Sequence, residues 1–150
     1  KERRTPKTYN VDVIFQAVKQ LPEVKFHFYD TKGYVALPEE LACSNLVVHP
    51  QPIEDMPEFL NGVSCGLRVT QFDTYSMSAI EMNLAGRWFA NNHEMPYCLQ
   101  LDYDPSVEQV VGTIRLMRGM REINVWGREF YSSRHSKDKF WSDLQNLVGG

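Results

Sequence analysis

Helix-period and strand-period segments take turns along this chain, and no other feature restricts its fold so strongly. Asn10 can cap a helix whose apolar face is Val11, Ile14, Val18 and Leu21, widened by Val13 and Ala17 and stopped by Pro22. Residues 24–29 alternate as a strand does, and Lys32-Gly33 follows as a turn. Leu46-Val47-Val48 is a short apolar run that Pro50 and Pro52 bring to a stiff loop. Residues 56–63 read as a short helix with Glu54 and Asp55 well placed at its positive end. A strand over 67–70, a helix over 76–84 stopped by Gly86, and strands over 88–90 and 97–101 come next. Asp104-Pro105 opens a helix, Asp as its cap, with the buried stripe Val107, Val110, Val111, Ile114 and Met117. Residues 122–148 complete the chain as helix, with a break expected near Ser132-Ser133. Strands and helices in this order, joined by short connections, predict an α/β fold, a Rossmann-like three-layer α/β/α sandwich with a mainly parallel sheet.

The 150 residues suffice for one domain with a sizeable core. A formal charge of −3 argues against a general nucleic-acid binder, which carries a broad basic surface. The longest apolar runs are about a strand long, far short of the roughly 20 residues of a spanning helix; peripheral membrane association stays open. Cys43, Cys65 and Cys98 are an odd set without CxxC spacing, as expected of reduced, structurally buried thiols and a cytoplasmic location. The chain opens Lys1-Glu2-Arg3-Arg4, with neither a methionine nor a signal peptide, where a Rossmann half normally opens on a strand. These features lead to the expectation of one domain over 1–150 that belongs to a longer protein.

In open α/β sheets, ligands bind beyond the carboxyl ends of the strands, where helices begin. The loop between the 67–70 strand and the 76–84 helix is such a place and reads Gln71-Phe72-Asp73-Thr74-Tyr75-Ser76-Met77-Ser78. A helix start offers unpaired N–H groups and a positive dipole end, which suit a phosphate. Ser76 and Ser78 add hydroxyls, and Glu81 lies one turn inside, where a carboxylate can accept from sugar hydroxyls. The same residues also fit a purely structural role. Ser78-x-x-Glu81 matches a capping box, and Ser76 is an equally good cap.

Asp73-x7-Glu81 followed by Met82-Asn83-Leu84-Ala85-Gly86 resembles the Glu-x7-Glu signature of retaining GT-B glycosyltransferases. Other segments fall in that family's order: the helix from Asn10, residues 47–53 as the strand and loop facing the nucleobase, and Asp104-Pro105-Ser106-Val107-Glu108 as the next helix opening. His135-Ser136 and the helix beyond resemble the family's closing helices. The resemblance implies that the chain is the C-terminal, donor-binding half of a GT-B fold. In it Glu81 would bind the donor ribose and Asp73 would stand by the transferred sugar. Tyr75, Ser76 and Met77, with Ser78, would meet the diphosphate, and Pro52 and Ile53 would grip the base. Arg4 and Lys7, or Arg68 from the strand end, would neutralise the departing diphosphate. Here the first acid is Asp rather than Glu, and Thr74-Tyr75-Ser76 replaces the usual Gly-Phe-Gly. A nucleoside diphosphate sugar is the implied donor substrate, with no cofactor and no metal. The implied partner is an N-terminal acceptor-binding domain outside these residues.

Remaining signals are weaker. His49 beside Pro50 can touch a base or sugar or make only a local hydrogen bond, and His27, His93 and His135 lack metal-site spacing. Trp88, Phe89, Trp126, Phe130 and Trp141 are expected in core or interdomain packing. Two rivals to sugar transfer remain: a sugar-nucleotide epimerase of the same architecture, and a non-catalytic α/β interaction module whose 73–81 segment is only a capped helix.

Overall fold

A computed structural model of the chain describes residues 10–29, 43–72 and 76–135. The chain runs α1 (Val11–Gln20), β1 (Phe26–Tyr29), β2 (Leu46–His49), α2 (Met56–Asn61), β3 (Cys65–Arg68), α3 (Met77–Leu84), β4 (Trp88–Asn91), β5 (Leu99–Gln100), α4 (Val107–Gly119) and α5 (Val125–Arg134). Every strand pairing is parallel: β1 with β2, and β3–β4–β5 in that order. Helix α3 supplies the crossover from β3 to β4, and α1 and α4 on one face and α3 and α5 on the other cover the β3–β5 sheet. The expected α/β sandwich is the fold found.

Strand alternation divides the core. Cys65, Leu67, Trp88 and Ala90 turn toward α1 and α4, where Val13, Ala17, Leu21, Val110, Ile114 and Met117 close a buried cluster. Phe89 turns to the other face and packs with Ala79, Ile80 and Met82 of α3, Leu60 of α2 and Tyr131 of α5. Phe15, outside the face expected for α1, is also buried and meets the Phe28 ring edge-on at 5.4 Å. This contact joins α1 to β1. Asn45 Nδ2 lies 3.0, 3.0 and 3.1 Å from the carbonyls of Val18, Leu21 and Val24, tying the exit of α1 to the start of β2.

Several boundaries differ from expectation for identifiable reasons. The β3 ladder ends at Arg68 because Asn92 takes over the backbone of Thr70, accepting from its N–H at 3.0 Å and donating to its carbonyl at 2.7 Å. Asn10 and Asp104, each expected to cap its own helix, instead bond to each other, Asn10 Nδ2 donating to Asp104 Oδ1 at 3.0 Å. Ser106 then caps α4, its Oγ accepting from Gln109 N–H at 3.2 Å. Helix α5 starts at Val125 with Asn124 as cap and runs unbroken through Ser132-Ser133, where Ser133 Oγ donates to the Phe130 carbonyl at 2.8 Å. Only Leu99–Gln100 of the 97–101 strand joins the ladder, because Tyr97 takes a φ of 59°. Gly86, at φ 71°, follows α3 as the left-handed stop expected there.

Trp126 is 71% exposed, so of the core and interdomain roles expected for it the core one is excluded. Trp141 and the Lys32-Gly33 turn lie outside the described residues. The three cysteines are free and half-buried rather than fully enclosed. Burial raises the Cys65 and Cys98 thiols; Arg118 acts in the opposite direction on the first, and the Asn83 hydrogen bond on the second. Among the described residues no helix is long and apolar enough to cross a membrane.

Candidate functional site

The carboxyl ends of β1, β2 and β3 and the first turn of α3 supply the polar groups of the candidate site. Ser76 is the N-cap of α3: its buried Oγ lies 3.4 Å from the Ala79 N–H and 3.0 Å from Ser78 Oγ. With Ser76 as cap, the register is wrong for a Ser78–Glu81 capping box, and the Glu81 side chain has no hydrogen bond among the described residues. That side chain is exposed one turn into the helix. The capping-box explanation for this carboxylate therefore fails. Met77 and Ser78 are the first two residues of α3, so their N–H groups stand at its positive end with no earlier turn of that helix to pair them.

A wall of rings stands at the ends of β1 and β2, where parallel register sets Tyr29 opposite His49. Tyr29 stacks on His49 at 5.0 Å, His49 on His27 at 5.2 Å, and Phe59 of α2 meets all three rings edge-on. His27 Nδ1 and His49 Nε2 are 2.9 Å apart, so one ring donates to the other. Partial burial raises the Tyr29 phenol, and the Glu81 carboxylate raises it further, so the ring wall and Glu81 share one electrostatic neighbourhood. Pro52 and Ile53 follow His49 in the loop that leads to α2, Pro52 exposed and Ile53 half-buried.

The His27 imidazolium is disfavoured first by partial burial, then by His49 and Lys25, so its pKa lies below the ordinary 6.5. As pH falls, the unfolded chain takes up this proton before the folded one. The associated stability is complete above pH 6.5 and is lost below it, as the folded group titrates. Melting temperature should fall between about pH 7 and pH 5, and His27→Gln should flatten part of that fall. Equal slopes for both proteins would remove His27 from the account.

Loops after β4 and β5 brace the loop after β3. Besides Asn92, His93 Nε2 donates to the Thr70 carbonyl at 2.9 Å and Tyr103 Oη donates to the Gln71 carbonyl at 2.8 Å. Beneath this brace Thr70 Oγ1 and both polar atoms of the Asn91 side chain are buried without a hydrogen-bond partner among the described residues. Arg68 ends β3 in register with Asn91.

Of the residues expected in a site, Ser76, Met77, Ser78 and Glu81 share the start of α3, Arg68 ends the strand that leads to it, and Pro52 and Ile53 follow β2. Arg4, Lys7, Asp73 and Tyr75 lie outside the described residues. Tyr29, Asn91 and Asn92 were not anticipated; His49 was noticed only as a lone histidine. Their signal is topological, since it needs the parallel pairing that puts strand ends together. Among the described residues no three His, Cys, Asp or Glu side chains converge as a metal site.

Comparison with protein-family models and with curated proteins finds no match. Solved structures do resemble the chain. The crystal structure of TarM matches with a TM-score of 0.68 at 16% identity, over 98% of this chain and 34% of that one. The crystal structure of the GtfA/B complex matches with a TM-score of 0.65 at 14% identity, over 97% of this chain and 34% of the other. The chain therefore spans about a third of each of these relatives, both of them GT-B glycosyltransferases. At such identities the likeness speaks for architecture: the chain has the fold of one Rossmann-like half of a GT-B structure.

Proposed function

We propose that the chain is the donor-binding, C-terminal domain of a GT-B glycosyltransferase and takes a nucleoside diphosphate sugar at the start of α3. One observation carries this reading. The Glu81 side chain is exposed one turn into α3, has no hydrogen bond among the described residues, and follows β3 at the carboxyl edge of the strands, where α/β folds bind ligands; its charge is felt by the Tyr29 phenol. A capped helix serving only its own ends would not need that carboxylate, since Ser76 already does the capping.

In this reading Glu81 accepts from the ribose hydroxyls. The N–H groups of Met77 and Ser78, with Tyr75 and Ser76 beside them, meet the diphosphate at the positive end of α3. Arg68, Arg4 and Lys7 offset the charge that develops on the leaving diphosphate, which is the transition-state term such a reaction needs most. Asp73 stands by the transferred sugar. Pro52 and Ile53 hold the base, and the Tyr29–His49 stack gives it an aromatic wall. Acceptor binding falls to a second domain of a longer protein, consistent with a chain that spans 34% of its structural relatives. Retention of anomeric configuration and metal independence follow from the family resemblance alone, and a cytoplasmic location from the odd set of unspaced cysteines.

Calorimetric titration with UDP, GDP and their sugars tests the proposal. Saturable binding of one nucleotide series, with the matching sugar nucleotide bound too, is the expected result. A folded chain that takes up none of them would overturn it.

A further inference from the structure

At the opposite, amino-terminal edge of the β3–β4 pair, a groove is lined by Ser64, Arg87, Trp88, Arg118, Arg121 and Ile123. Two bonds fix its wall: Trp88 Nε1 donates to the Glu122 carbonyl at 2.8 Å, and Asn124 N–H to the Gly86 carbonyl at 2.9 Å. The turn from α4 into α5 forms the rim. Although the whole chain is acidic, residues 115–129 hold Arg115, Arg118, Arg121 and Arg128 against only Glu122 and Glu129. Arg118 lies 3.8 Å from Glu23, and among the described residues the other three have no salt bridge. Ile123 on this rim, and Val125 and Trp126 in the first turn of α5 that follows it, stand 47%, 44% and 71% exposed. The Arg128 stem and Ile123 both lie beside Gly86, so basic and apolar side chains belong to one corner.

We infer that this corner seats the domain on an anionic membrane surface, with Trp126, Ile123 and Val125 entering the headgroup–acyl boundary and the arginines meeting lipid phosphates. Arginine forks suit phosphate, and tryptophan favours the membrane–water interface. The apolar part presents on the order of 300 Å², below the roughly 800 Å² per partner of a stable protein interface. It suffices for shallow insertion held by charge. The formal charge of −3 over the chain argues against a nucleic acid as the occupant. This seat lies at the other end of the strands from the donor site, and the two readings stand or fall separately.

Co-sedimentation of the full chain with phosphatidylcholine vesicles, with and without phosphatidylglycerol, tests the inference. The chain is expected to bind only the phosphatidylglycerol vesicles and to come off as salt shortens the Debye length toward about 3 Å. Arg121→Glu should weaken binding about tenfold, and Trp126→Ala several-fold, each with unchanged circular dichroism. Equal binding to both vesicle types, or none by a folded chain, would overturn it. So would a dimer in velocity sedimentation that Trp126→Ala dissociates, since that result gives the corner to a second copy of the chain.

Discussion

Gly127→Ala should destabilise the folded chain by about 3 kcal/mol, the scale of overpacking combined with a broken buried polar network. Helix α5 lies against α3 at this residue. A Cβ here would run into Asn83 Oδ1 and stand 2.7 Å from Asn124 Nδ2. Neither amide can give way cheaply, because both are buried and fully engaged. Asn83 Nδ2 donates to the Ala79 carbonyl at 2.8 Å, and Asn124 Nδ2 lies 2.9 Å from Asn83 Oδ1 and 3.0 Å from the Tyr97 carbonyl. Asn124 Oδ1 in turn accepts from the Gly127 N–H at 3.0 Å, so a shift of α5 removes the cap as well. Gly112→Ala in α4 is the matched control. It meets nothing within 4 Å, and helix propensity alone should make it neutral or stabilising by up to about 1 kcal/mol. Thermal melting followed by circular dichroism compares the two. Similar melting temperatures would show that the α3–α5 contact is looser than described.

The second large effect concerns binding. Glu81→Gln should weaken a bound nucleoside diphosphate by roughly 10- to 100-fold, because hydrogen bonds to a charged group contribute about 1.5–3 kcal/mol. Stability should move by no more than about 0.5 kcal/mol, as for other exposed positions, because Glu81 is exposed and unbonded among the described residues. The loss should reach the nucleoside monophosphate too and spare inorganic diphosphate, because the proposed role of the carboxylate is to bind the ribose. Titration of all three ligands into both proteins checks this. Undiminished nucleotide affinity in the variant would take Glu81 out of the site, even if wild-type binding is real.

The helices and strands were largely legible because their signal is local. The stripe Val110, Val111, Ile114 and Met117 needed only the period of α4, and it is buried as its spacing required. What escaped depends on partners far along the chain. Asn10 and Asp104 each carry the chemistry of a cap, but their side chains had a third option, one another, across 94 positions. Thr70 has the residue type of a strand, yet Asn92 supplies its backbone partners and ends the ladder. Trp126 had the size for a core or an interdomain contact, and only its exposure separates it from the core of this domain. In the site, the start of α3 could be found from Ser76 and Glu81, whereas the ring wall needed the pairing of Tyr29 with His49. Whether Ser78 and Glu81 formed a box or stood free was a choice of register that residue types left open.

The packing of α1 against α4 has a consequence for synthesis of the chain. The apolar face of α1 is finished only by Val110, Val111, Ile114 and Met117, some ninety positions later, and the Asn10–Asp104 bond closes the same gap. At ~5–20 residues per second, roughly 5 to 20 seconds pass between the emergence of α1 and that of its cover. During this interval Val13, Ala17 and Leu21 have only the earlier members of their cluster, such as Val24, Leu67 and Val69, for cover, and a chain released before α4 is made leaves that face incomplete.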